Sequence, residues 1–213
     1  MLPPRLHLVT DRRATADLPS AVRAALRLLP PGAAVVHVRA KDLEGAELLA
    51  LARRVGGICR AAGQLFVVNG RLDVAIASGA DGVHLPVAGV PPADARRLLG
   101  AALVGVSCHS ADEVRRAREG GADYATFGPV FDTPSKRAHG PPVGVAALAD
   151  AAQLGLPLLA LGGVDQESAA VVVAAGAHGV AAIRAWLETP DPGRATDALF
   201  AAMVRLDRRA RDH

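Results

Sequence analysis

The chain has 213 residues, of which 51% are hydrophobic and only 3% aromatic, and its formal net charge is +3. This hydrophobic fraction excludes a disordered chain, and the scarcity of aromatic side chains argues against a surface that stacks on nucleic-acid bases. The arginines are spread over predicted helices and a basic C-terminal segment, so we expect no nucleic-acid partner.

The compartment is predicted from what the sequence lacks. Cys59 and Cys108 have neither the spacing of metal ligands nor the number of a disulfide framework. The N-terminus has no charged segment followed by a long apolar run, and no apolar run reaches the roughly 18 residues of a membrane span. We expect a cytoplasmic protein without a membrane partner, and the oligomeric state stays open, a homodimer included.

Short runs rich in valine, leucine or isoleucine recur along the chain, with longer segments rich in alanine, leucine and arginine between them. The predicted strands are 6–10, 34–39, 65–68, 82–85, 103–107, 124–128, 157–163 and 179–183. Helix signals lie between them: Ser110 and Glu113 form a capping box, and "PPADARRLLG" opens on prolines and ends on Gly100. Strand and helix therefore alternate.

A local repeat supports this alternation. "SGADGV" (78–83), "GGADYA" (120–125) and "AGAHGV" (175–180) each place Gly-Ala at a helix end and then begin an apolar strand. Eight such units predict an α/β fold, a single (β/α)8 TIM-barrel domain over residues 1–213. A doubly wound open sheet is the alternative, but no G-x-G-x-x-G follows the first strand.

The active site of a barrel lies at the C-terminal ends of its strands, and polar residues or glycines stand at these ends. They are Thr10, Asp11, Arg39, Lys41, Asn69, His84, Ser107, His109, Lys136, Gly162, Gly163 and Arg184. Each alone has a structural explanation as a cap or a solvated loop residue. Together they predict one site at the barrel mouth.

Several of these residues suit anions. Gly162 and Gly163 precede a helix predicted to begin at Asp165, and Arg184 follows the last strand, where barrels often hold a phosphate. Arg39 and Lys41 alternate along the end of the second strand and suit a second phosphate or a carboxylate. A small phosphorylated molecule is therefore the predicted ligand.

The proline-rich loop after the sixth strand carries Lys136, one of only two lysines in the chain. We predict that Lys136 holds an anion over the mouth, a solvated loop lysine being the alternative. Thr133 and Ser135 on the same loop are predicted to bind substrate.

Proton transfer requires groups that titrate near neutral pH, and the candidates are His37, His84, Cys108 and His109. The alternative for each histidine is a buried, hydrogen-bonded core residue. We interpret His7, His139 and His178 as loop or strand-start histidines. No Ser-His-Asp order, H-E-x-x-H or P-loop is present.

Six segments in order, "HLVTD", "VHVRAKD", "VVNGRLDVAIASGADGVHLP", "GVSCHS", "DYATFGPVFDTPSK" and "LALGGV", resemble the thiamine phosphate synthase superfamily across nearly the whole chain. The resemblance implies a (β/α)8 barrel that acts on a phosphorylated thiazole. The family's synthases couple it to hydroxymethylpyrimidine pyrophosphate with Mg²⁺. Its thiazole tautomerases aromatise a thiazole carboxylate phosphate without a metal.

Departures from the synthase pattern favour the tautomerase branch. Gly70 and Gly89 stand where the synthase has its metal-binding aspartates, and Pro86 stands in a glycine position. His37 replaces a glutamine that contacts the pyrimidine. The resemblance therefore predicts a thiazole tautomerase-like isomerase with no metal ligands and no cofactor.

In this hypothesis Gly162, Gly163 and Arg184 hold the phosphate. The carboxylate is held by Arg39, Lys41 or Lys136, and His37, Asn69 and Ser107 bind substrate. The proton is moved by His84 or His109, with Cys108 nearby and Lys136 also counted as catalytic.

Two positions disagree with the tautomerase pattern. Pro129 stands where the tautomerase carries its histidine, and Arg184 replaces a phosphate-binding serine. Two alternatives therefore stay open. One is a thiamine phosphate synthase with an altered Mg²⁺ site, and the other is a catalytically silent barrel that binds a phosphorylated ligand or has a regulatory role.

Overall fold

The computed structural model describes residues 2–133 and 140–211. The strands are Leu6–Val9 (β1), Ala34–Val38 (β2), Leu65–Asn69 (β3), Gly82–Leu85 (β4), Leu103–Cys108 (β5), Tyr124–Phe127 (β6), Leu158–Leu161 (β7) and Gly179–Ala182 (β8). The α-helices are Leu18–Leu26 (α1), Gly45–Ala61 (α2), Leu72–Ser78 (α3), Pro92–Leu99 (α4), Ala111–Glu119 (α5), Gly144–Ala152 (α6), Ala169–Ala174 (α7), Arg184–Leu187 (α8) and Pro192–Arg211 (α9).

The eight strands form a closed parallel barrel in sequence order. β1 pairs with β2 on one side and with β8 on the other, which closes the sheet. The predicted (β/α)8 TIM barrel is thereby confirmed, and the open-sheet alternative is wrong. Among the described residues, no helix is both long enough and apolar enough to cross a bilayer.

The predicted elements agree closely with the observed ones, with one difference after β7. This strand ends at Leu161, because Gly162 and Gly163 have φ angles of +95° and +65° that do not continue a strand. The following helix begins at Ala169 rather than at the predicted Asp165. The Asp165 carboxylate instead accepts hydrogen bonds from the backbone N–H groups of Glu167 and Ser168, which holds a turn before the helix.

The core has two parts, one on each face of the sheet. The larger part lies between strands and helices, and a smaller one, formed by Val9, Tyr124, Leu159 and Ala181, fills the barrel interior. Gly105 makes room for the Tyr124 ring there, because a Cβ at this position would lie 2.1 Å from the ring.

The three repeated segments form the same turn. Each contains a glycine with positive φ one or two residues after the end of its helix, at Gly79 (+64°), Gly121 (+81°) and Gly176 (+99°). The alanine that follows donates its backbone N–H to a carbonyl in the last turn of the helix, which is the pattern of a Schellman cap. The sequence repeat is thus a repeated helix ending.

The residue after Gly-Ala then ties two strands together at the lower end of the barrel. Asp81 accepts a hydrogen bond from Phe66 N–H through its side chain and donates its own backbone N–H to the Phe66 carbonyl. Asp123 makes the same two bonds with Val104. His178 keeps only the backbone bond, to the first residue of β7.

We expect Asp81→Ala to destabilise the protein by about 1–3 kcal/mol, since it leaves the N–H of Phe66 without its partner in a partly buried position. Asp81→Asn is the matched control, because its amide oxygen still accepts this bond. Chemical denaturation of both variants provides the measurement. Equal losses in the two variants would contradict this explanation of the repeat.

Adjacent glycines in α2 provide a second test of packing. A Cβ at buried Gly56 would lie 2.6 Å from the ring of fully buried Phe66, whereas exposed Gly57 has no atom within 4 Å of such a position. We expect Gly56→Ala to lower the free energy of unfolding by about 1–3 kcal/mol. Gly57→Ala should raise it by about 0.5–1 kcal/mol through better helix propensity. Thermal or urea unfolding measures both, and the same sign for both variants would refute this packing.

Candidate functional site

A cavity of about 840 Å³ opens at the C-terminal end of the barrel, and every strand end contributes to its wall. Twelve predicted site residues line it: His37, Arg39, Lys41, Asn69, His84, Ser107, Cys108, His109, Thr133, Gly162, Gly163 and Arg184. Ser135 and Lys136 lie outside the described residues. The structure therefore brings these twelve residues to one mouth, as barrel topology requires, whereas Thr10 and Asp11 do not line the cavity.

The end of β2 presents two cations to the cavity. Buried Thr10 holds the backbone of Arg39 in place: its hydroxyl accepts a hydrogen bond from Arg39 N–H at 2.9 Å and donates to the Arg39 carbonyl at 3.2 Å. Within the described part of the chain, the charged groups of Arg39 and Lys41 have no hydrogen-bond or ion-pair partner. Both charges are available to an anion.

The ends of β7 and β8 form a second wall of the cavity. A Cβ at Gly162 would lie 2.5 Å from Pro129 Cβ, and one at Gly163 would lie 2.7 Å from Phe131 Cβ. The glycines thus allow the loop after β6 to pack directly on the β7 turn. Arg184 begins α8 beside this turn, and its Nε lies 3.7 Å from the Glu188 carboxylate.

The floor of the cavity consists of hydrogen-bonded rings and hydroxyl groups. His84 Nε2 lies 3.0 Å from Ser107 Oγ and 3.3 Å from Thr126 Oγ1, and the His84 ring stacks on Tyr124. His37 Nε2 lies 2.7 Å from His7 Nδ1. This floor separates the open mouth from the barrel interior.

Sequence reasoning missed His7, which we interpreted as a loop or strand-start residue. It is completely buried inside the barrel, with its ring 4.8 Å from the Tyr124 ring between centroids. The available signal was alternation in "LHLVT", which places His7 and Val9 on the face opposite Leu6 and Leu8. His178 is a strand-start residue as expected, whereas His139 lies outside the described residues.

Burial changes the acid–base properties of the predicted proton-transfer groups. It lowers the pKa of His84 to about 3, and together with His84 and His7 it lowers the pKa of His37 well below its usual value. Burial and the nearby Glu113 carboxylate raise the pKa of Cys108 to about 12. A thiol with this raised pKa stays protonated at neutral pH, and an imidazole with this lowered pKa is a weak base there, so neither Cys108 nor His84 is well suited to proton transfer.

His109 differs from these groups because it is exposed at the end of β5. Its Nδ1–H donates to the carbonyl oxygen of Gly128 at the end of the neighbouring strand β6, and Glu113 accepts from the His109 backbone N–H. This bond fixes the orientation of the imidazole, and Nε2 is the ring nitrogen that the bond does not use. Of the predicted proton-transfer residues, His109 alone combines exposure with a fixed orientation.

The residues around Pro86 do not form a carboxylate site for Mg²⁺. Gly70 has a φ of +72°, and a Cβ at Gly89 would lie 2.9 Å from the Pro86 ring. Neither position accepts an aspartate without local change. Over residues 2–133 and 140–211 there is no cluster of three or more His, Cys, Asp or Glu side chains suited to a metal ion.

Four described carboxylates line the mouth, those of Glu44, Asp132, Asp165 and Glu188, and at least two of them are engaged elsewhere. Asp165 is engaged with the turn before α7, and Glu188 lies beside Arg184. Mg²⁺ prefers carboxylate and phosphate oxygens in octahedral geometry, and the described carboxylates of the mouth do not form a cluster of three or more ligands for it.

Comparisons with known proteins agree along most of the chain. A family model described as thiamine monophosphate synthase matches residues 6–186. A putative thiamine-phosphate synthase from Geobacter sulfurreducens is 44% identical over 202 residues, covering 93% of each chain. A thiamine-phosphate synthase from Roseiflexus sp. is 42% identical over 211 residues, covering 97% of this chain and 88% of that protein.

A solved structure gives the same result. Thiamine phosphate pyrophosphorylase from Pyrococcus furiosus superposes with a TM-score of 0.86 at 30% identity, covering 95% of this chain and 96% of that one.

The prediction of a thiazole tautomerase-like isomerase is contradicted by these relatives, whose names are those of synthases. The prediction rested on positions 70, 86 and 89, and the structure shows why they misled. They form one local group in the fold, with Pro86 next to both glycines. Similarity over the whole chain outweighs this group, and the chain belongs to the thiamine monophosphate synthase family of thiamine-biosynthesis enzymes.

Proposed function

We propose that this protein is a thiamine-phosphate synthase, which joins hydroxymethylpyrimidine pyrophosphate to a thiazole phosphate. The observation that carries the proposal is the 42% identity to a thiamine-phosphate synthase over 97% of this chain and 88% of that protein. In the coupling, the thiazole ring nitrogen forms a bond to the methylene carbon of the pyrimidine. The bond from that carbon to oxygen breaks, and its electron pair leaves with pyrophosphate.

The acid–base state of the site supports coupling. Departure of pyrophosphate requires positive charge and hydrogen-bond donors near the leaving group rather than a group that shuttles protons. The floor beneath the mouth is uncharged, because burial lowers the pKa of His84 to about 3 and keeps the Cys108 thiol protonated. The cations lie at the rim, where an anionic group would bind.

The two walls of the mouth suit the two anionic substrates. We assign the thiazole phosphate to Gly162, Gly163 and Arg184, and the pyrophosphate to Arg39 and Lys41. In this proposal Thr133 also binds the pyrophosphate. The same role is proposed for Ser135 and Lys136, which lie outside the described residues. The described carboxylates do not form a cluster of three or more ligands for Mg²⁺, so the protein's part in stabilising the leaving group is assigned to its cationic side chains.

The test of the proposal is product formation. We expect the purified protein, given both substrates in a buffer containing Mg²⁺, to form thiamine phosphate, measured by chromatography after oxidation to a fluorescent thiochrome. A protein denatured by heat is the control. No product at high enzyme concentration would reject the proposed function.

The wall assignments predict separate effects on the two substrates. Arg184→Ala should raise the KM for thiazole phosphate about 10- to 100-fold through loss of a charge-assisted hydrogen bond, with the KM for the pyrimidine pyrophosphate changed less than about twofold. Arg39→Ala should show the reverse pattern.

The control for these variants is Arg194→Ala, whose side chain is 84% exposed on α9 away from the cavity and should leave both constants unchanged. Steady-state kinetics with one substrate varied at a time provides the measurement. An equal rise in both KM values for either cavity variant would overturn the assignment of the walls.

A further inference from the structure

Two buried histidines beneath the cavity share one hydrogen bond. His7 Nδ1 lies 2.7 Å from His37 Nε2, and His7 Nε2 lies 3.0 Å from the carbonyl oxygen of Pro4. Both imidazoles are completely buried, and a charge on either would be costly there and would repel a charge on the other. Each ring is therefore neutral and carries one N–H.

The Pro4 carbonyl decides which nitrogen of His7 carries the proton. A carbonyl oxygen accepts a hydrogen bond and never donates one, so His7 Nε2 is the donor and His7 Nδ1 holds a lone pair. His37 Nε2 donates to that lone pair, which leaves His37 Nδ1 as an acceptor. In the opposite arrangement His7 Nε2 and the Pro4 oxygen would face each other as two acceptors.

The acceptor at His37 Nδ1 has a second acceptor beside it. His37 Nδ1 and Asn69 Oδ1 are buried atoms without a hydrogen-bond partner among the described residues, and both side chains line the cavity. Burial chiefly lowers the pKa of His37, and Asn69 is the neighbour that raises it, as an acceptor oxygen beside the ring does. Buried polar atoms are nearly always paired, so these two acceptors indicate a donor that arrives with the ligand.

We propose that His7 is a positioning residue for substrate selection, which holds His37 in the Nε2–H form so that His37 Nδ1 and Asn69 Oδ1 accept hydrogen bonds from an N–H group of the ligand. This inference rests on the proposed function, in which an exocyclic amino group on the pyrimidine ring is the matching donor. A ring that presents an acceptor there would require both protons of the histidine pair to move, and the bond to Pro4 would be lost.

The proton arrangement is measured directly by nuclear magnetic resonance. Long-range ¹H–¹⁵N correlation spectra of protein labelled at histidine separate the Nδ1–H and Nε2–H forms. We expect both His7 and His37 in the Nε2–H form without ligand. A spectrum with His37 in the Nδ1–H form overturns the proposal.

Two substitutions test whether His7 is the cause. His7→Phe keeps a ring but removes the acceptor, so His37 should lose its single proton form. His7→Asn keeps an acceptor oxygen near the position of Nδ1 and should restore the Nε2–H form. A His37 ring that stays Nε2–H in His7→Phe contradicts the positioning role.

Binding measurements connect the proton arrangement to selection. By calorimetry, we expect the wild-type protein to bind the pyrimidine pyrophosphate at least about tenfold more tightly than an analogue with methyl in place of the amino group. In His7→Phe this ratio should fall to about twofold, and in His7→Asn it should recover, with thiazole phosphate affinity within about twofold of wild type in both. Equal wild-type affinities for the two pyrimidines, or an unchanged ratio in His7→Phe, overturn the proposal.

These readouts are separate from turnover. A protein that forms no thiamine phosphate but shows the expected ring spectra and amino-group preference rejects the proposed function and leaves the role of His7 supported. If His7→Phe loses affinity for both substrates, the His7→Asn variant is the test. A His7→Asn protein that prefers the amino-bearing pyrimidine while His37 is not in the Nε2–H form contradicts the proposal.

Discussion

Closure of the sheet is the constraint on which the rest of the molecule depends. β1 pairs on both of its edges, so eight strands of four to six residues all end at one mouth. Arg39 and Arg184, far apart in the chain, therefore line one cavity. Closure also creates an interior that side chains must fill without voids.

The filling of that interior determines the electrostatics of the site. With few aromatic residues, the chain fills the barrel with Tyr124 and three imidazoles, and Gly105 makes room for the tyrosine ring. Buried imidazoles must be neutral and hydrogen-bonded, so packing and hydrogen bonding constrain the same atoms. The result is an uncharged floor beneath a cationic rim, which suits a substrate with an uncharged ring and an anionic tail.

Much of this architecture could be predicted from the sequence, because strands buried on both faces form nearly continuous apolar runs and their polar ends mark the mouth. The burial of His7 and the protonation of the Cys108 thiol could not, since both depend on what neighbouring strands place around them. The tautomerase interpretation was wrong for a related reason. Gly70, Pro86 and Gly89 are separate positions in the sequence but one packed group in the fold. Counting them as independent signals gave them too much weight in favour of the tautomerase.

The repeated turns at Asp81 and Asp123 make the two ends of the barrel differ in how substitutions affect strand pairing. They join neighbouring strands at the end remote from the mouth, through backbone atoms and a carboxylate that take no part in the cavity. Side chains at the mouth can therefore be substituted without removing these two carboxylate bonds. A barrel built in this way is evolvable: substitutions can alter the chemistry at one end while selection for a folded chain acts mainly at the other.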